Sequence, residues 1–318
     1  QWIGTGIVRR GAEAYLQFEV KKENIKNGNA VIAVMKNGTV VWSWHLWFAP
    51  QSALTPIEVT NHQGVKYNFT TETVGWKPTK WEGTVYQSPR SVKFRVEQTI
   101  ANNGKKQYTD ITITQKPGNK REGIVTLYQF GNKNAYPGTD DNLVGSFNID
   151  LQIHITVPEI IQNPQKYYPT TNMFPHVNSW AADDITGGYS DNPVIKTVYD
   201  PSPVGFKMPA SNAFTGFTSD GKLQSDNDKI NADFPRDFQQ YKDNYGHNFW
   251  TNSNKTATIF FPIVVDRLYV SGYLSTGYDV GPCWTAMNCI MQSFNISVVN
   301  PAFDVYASSG VSIRPVTE

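Results

Sequence analysis

The sequence predicts a β-rich α+β domain with long loops and an inserted β-hairpin near residues 85–117. Three observations carry that expectation. Apolar and polar residues alternate with period two over many short runs, the pattern of a strand with one buried face. Asn-Gly pairs and prolines punctuate those runs, as turns require. Helical spacing is confined to brief stretches, while residues 165–255 read as loops rich in Pro, Asp, Asn and Gly.

Residues 1–14 show no clear element and read as an N-terminal tail or linker, with a single domain over residues 15–318. Residues 15–20 (YLQFEV) alternate and predict a strand. The apolar run at 29–34 and the strand TVVWSWHLWF at 39–48 flank Asn37-Gly38, and Asn-Gly supplies the positive φ values of a tight hairpin turn. SVKFRVEQ (91–98) and TDITITQ (109–115) form a second hairpin around Asn102-Asn103-Gly104. Val92, Phe94 and Val96 fall on one face and Lys93, Arg95 and Glu97 on the other, which predicts a sheet covered on one side. Residues 124–130 and 147–157 predict further strands. Residues 158–162 predict a short helix with Pro in its first turn, and residues 211–214 another, capped by Ser211. A loop tract as long as 165–255 is unusual in a compact domain and tends to carry function.

Composition narrows the class. The chain has 318 residues, with 28 basic and 27 acidic side chains, so it offers no basic field for nucleic acid. Aromatic residues make up 13%, with nine Trp and sixteen Tyr, which suits an extracellular β-rich protein better than a helical cytosolic enzyme. No apolar run approaches the roughly 18 residues of a spanning helix. The opening QWIGTGIVRRGAEAY lacks the apolar core of a signal peptide, so the chain reads as a mature or truncated product. Cys283 and Cys289 are the two cysteines; they form one local bridge or remain two buried thiols.

Several motifs occur in an order that resembles a known family. GNAVIAV (28–34) runs into WSWHLW (42–47), followed by Val74-Gly75-Trp76 and the 91–115 hairpin. YQFGNKNAYPG (128–138), YDPSPVGFKMP (199–209) and GVSIRPV (310–316) complete the series. The set resembles fimbrillin-like surface proteins of Bacteroides-type bacteria, and its C-terminal part is similar to the major paralogous domain of Fibrobacter surface proteins. The resemblance spans residue 15 to the C-terminus. It implies a C-type-lectin-like, formylglycine-generating-enzyme-like mixed fold on an extracellular cell-surface protein. It also implies adhesion to a host or microbial glycan or protein, at a pilus tip or beside other pilus subunits. Departures from the family pattern are Ser202 for its Cys, Phe206 for its Trp, and Asn132-Lys133-Asn134 for its Arg-Lys-Asp.

The residues themselves point to binding more than to catalysis. Trp42, Trp44, Leu46 and Phe48 share one strand face, which reads as a core face of large rings, each burying on the order of 200 Å², with an aromatic ligand platform as the alternative. His45 reads as a hydrogen-bonding core residue, since the five histidines form no local metal pair. Asp226-Asn227-Asp228 starts like a calcium loop but continues with Ile230 and Asn231, where an oxygen ligand and Gly are needed. Asp140-Asp141 and Asp183-Asp184 are loop acids, and Asp191-Asn192-Pro193 only distantly echoes a lectin calcium motif. No nucleophile motif or dinucleotide loop stands out, and no cofactor is implied. The ligand is expected on the loops, with Tyr189, Tyr278 and Trp284 as half-exposed contact rings and Asp183, Asp184 and Asp279 as acceptors for hydroxyls. Phe174, Trp180, Trp250 and Tyr273 lie in similar surroundings. The alternatives are a purely structural surface domain, or a redox enzyme of the formylglycine-generating type using Cys283 and Cys289.

Overall fold

The computed structural model describes residues 2–79, 90–115, 122–139, 148–149, 155–170, 179–182, 189–222, 229–233, 245–275, 281–287, 290–294 and 299–318. The chain is β-rich, as the alternation predicts, and among the described residues α1 (Val157–Gln162) is a short α-helix among many strands. Among the described residues no helix is long and apolar enough to cross a membrane.

The chain starts as two-stranded antiparallel ribbons. β1 (Trp2–Arg10) pairs with β2 (Glu13–Val20), so the segment expected as a tail or linker holds a strand. Its glycines disguise the alternation, and the register shifts between Gly4 and Gly6. β3 (Gly28–Lys36) pairs with β4 (Thr39–Phe48) around Asn37 and Gly38, whose φ angles of 49° and 81° are those the expected Asn-Gly turn demands. A bulge shifts the register between Val34 and Met35, opposite Trp42 and Val40.

β5 (Pro56–Thr60) and β6 (Lys66–Thr70) begin a four-stranded antiparallel sheet continued by Val316–Thr317 and Phe206–Lys207. The C-terminal strand is thus internal, with Val316 opposite Phe69 on one side and Lys207 on the other. Gly246–Trp250 pairs with Thr258–Pro262, and Cys283–Trp284, Ile290–Phe294 and Val299–Asp304 make a three-stranded sheet.

The inserted hairpin forms as expected from Arg90–Glu97 and Tyr108–Gln115, with Val92 opposite Ile113 and Phe94 opposite Ile111. Its charged face is organised by Arg95 and Lys93 on Asp110, at 2.8 and 3.0 Å. The apolar face departs from expectation: Val92, Phe94, Val96, Ile111 and Ile113 are each about half exposed. The strands pair only with each other, so the described residues lay no second layer over that face.

Other differences have local causes. Residues 124–130 form only short strand pieces, at Gly123–Ile124 and Thr126–Leu127. Val125, Leu127, Tyr128 and Phe130 are all buried, so this segment is covered on both sides rather than lying in an open ladder. The strand expected over 147–157 is described only at Asn148–Ile149, and Val157 already belongs to α1. Thr156 explains that switch. It forms a capping box with Glu159, and Pro158 follows in the first turn. Residues Ser211–Phe217 form a 3-10 helix preceded by Ala210. Ser211 is not its cap, because the Ser211 hydroxyl is bonded to the backbone of Ser190.

Two aromatic cores hold the body. Phe69, Phe214, Phe217, Phe249 and Phe261 form one, with Phe217 stacked on Phe249 at 4.5 Å and Phe69 at 5.3 Å from Phe214. Phe130, Trp180 and Trp284 centre the other, with ring separations of 5.1, 5.4 and 6.3 Å. Two buried arginines bridge irregular segments. Arg314 donates to the carbonyls of Thr70, Thr71 and Phe260 and lies over the Phe261 ring. Arg267 donates to the carbonyls of Pro137 and Gly272.

Replacing Phe69 with Ala is expected to lower the unfolding free energy by about 3–5 kcal/mol. Phe94→Ala, at a half-exposed ring, should stay within about 0.5 kcal/mol. Urea titrations of the two variants check both values, and a large loss for Phe94→Ala would mean that its face is covered.

Candidate functional site

β4 builds one wall of a groove of about 450 Å³. Residues 42–48 all line it, which places the groove along the strand's edge, since side chains of both faces reach it. The opposite wall is the loop Val198–Val204, with Phe18 of β2 at the rim and Val74, Lys133 and Asp200 further in. Mostly apolar walls with a few placed polar groups, at this volume, are the usual character of a ligand site.

The hairpin is fixed to the body through the face that carries Ser43, His45 and Trp47. Trp47 donates its indole N–H to the Trp76 carbonyl at 3.0 Å. Asn29 donates to the Gly75 carbonyl at 2.8 Å, so its Oδ1 faces His45 Nε2 at 2.9 Å and must accept from it. His45 Nδ1 then accepts from the Tyr128 hydroxyl at 2.7 Å. This fixes one neutral tautomer, and burial lowers the His45 pKa from 6.5 to about 4. The expected core face of large rings is therefore corrected. The inner contacts are made by the Ser43 side of the strand, while Trp44 is 39% exposed and lines the groove.

Lys133 sits on a buried turn. Asn132 Oδ1 accepts from the Asn134 backbone N–H at 2.9 Å, and Asn134 donates to the Ile160 carbonyl at 2.8 Å. The Lys133 ammonium donates to the Ser43 carbonyl at 3.1 Å, the Ser43 hydroxyl at 2.5 Å and Asn134 Oδ1 at 3.0 Å. It lies 4.7 Å from the centre of the Trp42 ring, and burial lowers its pKa to about 8.

The far wall is rigid for its length. Asp200 accepts from the backbone N–H groups of Ser202 and Met208 at 2.8 and 3.0 Å, and burial raises its carboxyl pKa. Behind the loop, Lys196 donates to the carbonyls of Ser202, Pro203 and Phe206. Phe206 closes a turn onto Pro203, for which Gly205 adopts φ 81°, a conformation that favours glycine. Val198 and Val204 are left 71% and 97% exposed.

The loop residues expected at the site fare differently. Trp284 is a correction: it is fully buried, and its indole N–H donates to the Tyr128 carbonyl at 2.7 Å, so it is a core ring and not a contact ring. Trp180 is likewise core. Tyr189 is 41% exposed but does not line the groove. Asp183, Asp184, Tyr278 and Asp279 lie outside the described residues, as do Phe174, Cys289, Asp140-Asp141 and residues 226–228. Asp191 is spent internally, accepting from Asn61, Tyr67 and Asn212 at 2.6, 2.6 and 3.0 Å. Cys283 is a buried free thiol whose pKa burial pushes up to about 11, opposite to the shift a catalytic thiolate needs. Among the described residues no three His, Cys, Asp or Glu side chains gather as a metal cluster. Sequence reading singled out β4 and the Pro-rich loop separately. What it missed was their juxtaposition across Lys133.

Comparison with protein families, curated proteins and solved structures finds nothing that matches this chain.

The His45 network predicts an acid-sensitive hairpin. The folded ring stays neutral down to about pH 4, whereas the unfolded ring takes its proton near 6.5. Between those values the unfolded chain binds the extra proton, so stability present above the upper value is lost as pH falls through the window. The loss is on the order of 3 kcal/mol. Urea unfolding across this range should show it in the wild type, and His45→Gln should flatten the dependence.

Proposed function

We propose that this protein is a non-catalytic binding protein of the cell surface, an adhesin of fimbrillin-like, C-type-lectin-like character. It acts outside the cell, on a pilus or at the outer membrane, and takes a glycan or protein ligand. The observation that carries the reading is the groove between β4 and the Val198–Val204 loop. Half-exposed indole and aliphatic walls offer rigid contact area at little entropic cost. The polar groups that reach it from Ser43, His45, Lys133 and Asp200 are bonded to the protein's own frame rather than arranged as a nucleophile with a free base.

The order of the family-like motifs supports the same reading. YQFGNKNAYPG supplies Lys133, WSWHLW supplies the near wall and YDPSPVGFKMP the far wall, so three of the motifs converge on one groove. The raised pKa of Cys283 speaks against the redox alternative.

Immobilised glycans and matrix proteins probed with the whole chain test this function. Binding to at least one class is expected, with Trp44→Ala losing about 10-fold or more in affinity. Because Trp44 is partly exposed, its thermal midpoint should stay within a few degrees of wild type. Silence across the whole panel would leave a purely structural surface domain as the better account.

A further inference from the structure

We propose that the inserted hairpin joins two copies of this chain, apolar face to apolar face, as a weak two-fold dimer. This surface lies apart from the residues that line the groove, and the proposal stands whether or not the groove binds a ligand.

The hairpin has no layer of its own. Its strands, Arg90–Glu97 and Tyr108–Gln115, pair only with each other, and among the described residues no buried cluster includes a side chain from them. Val92, Phe94 and Val96 on one strand and Ile111 and Ile113 on the other stand about half exposed on one face. A two-stranded ribbon is marginal in water until another layer covers it. Side chains of this size leave roughly 400–500 Å² of apolar surface in one patch, a size that commonly marks an interaction site.

The pattern along the face fits a second copy. Three rows cross it: Val92 with Ile113, Phe94 with Ile111, and Val96 with Thr109. A two-fold axis parallel to the strands, midway between two such faces, sets each row against the same row of the other copy with its members exchanged. The Phe94 ring of each copy then covers Ile111 of the other, so both contacts are the same aromatic-on-aliphatic pair. No charged residue stands in these rows, so identical copies meet without like-charge repulsion. Lys93, Arg95 and Glu97 occupy the opposite face, where Asp110 already holds Lys93 and Arg95, and Tyr108 lies 3.9 Å beneath the Arg95 guanidinium. The product is a four-stranded sandwich, its layers about 10 Å apart and its charged faces outward.

Area sets the strength. The two faces together bury on the order of 900 Å², short of the roughly 1,200 Å² of a stable complex, so the association is weak and reversible.

Sedimentation velocity on the whole chain from about 1 to about 500 μM tests this. A monomer–dimer equilibrium is expected, with Kd on the order of tens of micromolar. Added salt should not weaken it, because no ion pair holds it. Phe94→Lys and Ile111→Glu should each weaken association by about 10-fold or more, while Lys93→Ala on the opposite face should leave it unchanged. Mixing Phe94→Lys with Ile111→Glu should restore it, because the exchanged row brings the new ammonium onto the new carboxylate. Circular dichroism at low concentration checks that each variant folds; if Phe94→Lys does not, Ile113→Gln should weaken the dimer in its place. A wild type that stays monomeric throughout would overturn the proposal and leave the face to a different protein. Growth beyond a dimer, a folded Phe94→Lys that associates like wild type, or a mixture no more associated than its parts would overturn it as well.

Discussion

The fold depends on side chains that complete the hydrogen bonding of irregular backbone. Much of the body runs as short strand pieces and turns, and a buried carbonyl without a donor costs free energy comparable to a lost hydrogen bond. Arg314 supplies donors to Thr70, Thr71 and Phe260, joining the end of β6 to a strand almost two hundred residues away in sequence. Arg267 does the same for Pro137 and Gly272. Gln129 reaches Tyr168 and Ser308. Removing one such side chain would orphan two or three carbonyls together, which is why the two guanidinium groups are as buried as the rings around them.

The groove extends this logic to the surface. The β3–β4 ribbon has too little area to hold itself in place, so it is tied down by His45, Trp47 and Asn29 on one side and by Lys133 at the edge. The loop facing it has prolines where a ladder would need donors, so Asp200 and Lys196 collect its backbone groups instead. Each wall is thus stiffened from behind, and the apolar atoms are left to face the opening.

Local chemistry was the legible part of the sequence. The Asn37-Gly38 turn, the inserted hairpin and the Pro158 helix follow from residues that act on their immediate neighbours. Features set by distant partners were not legible. Trp284 lies in a polar, Gly-rich stretch that suggests exposure, yet Phe130 and Trp180 enclose it. The face of β4 that turns inward could not be read from alternation, because rings and polar groups occupy both sides and the choice is made by Tyr128, Asn29 and Lys133. β1 escaped notice because its glycines weaken the period-two signal. The groove itself needed the register of three segments, and no single stretch contains that information.

The outer positions of the Val198–Val204 wall contribute little to what holds it. Asp200 and Lys196 act on main-chain atoms, whatever side chains the loop displays at its two valines. Substitutions at those two sites can therefore reshape the lip of the cleft while the scaffold stays unchanged. Diversification under selection would concentrate there, in a frame that tolerates novelty at its lip and forbids it one layer beneath.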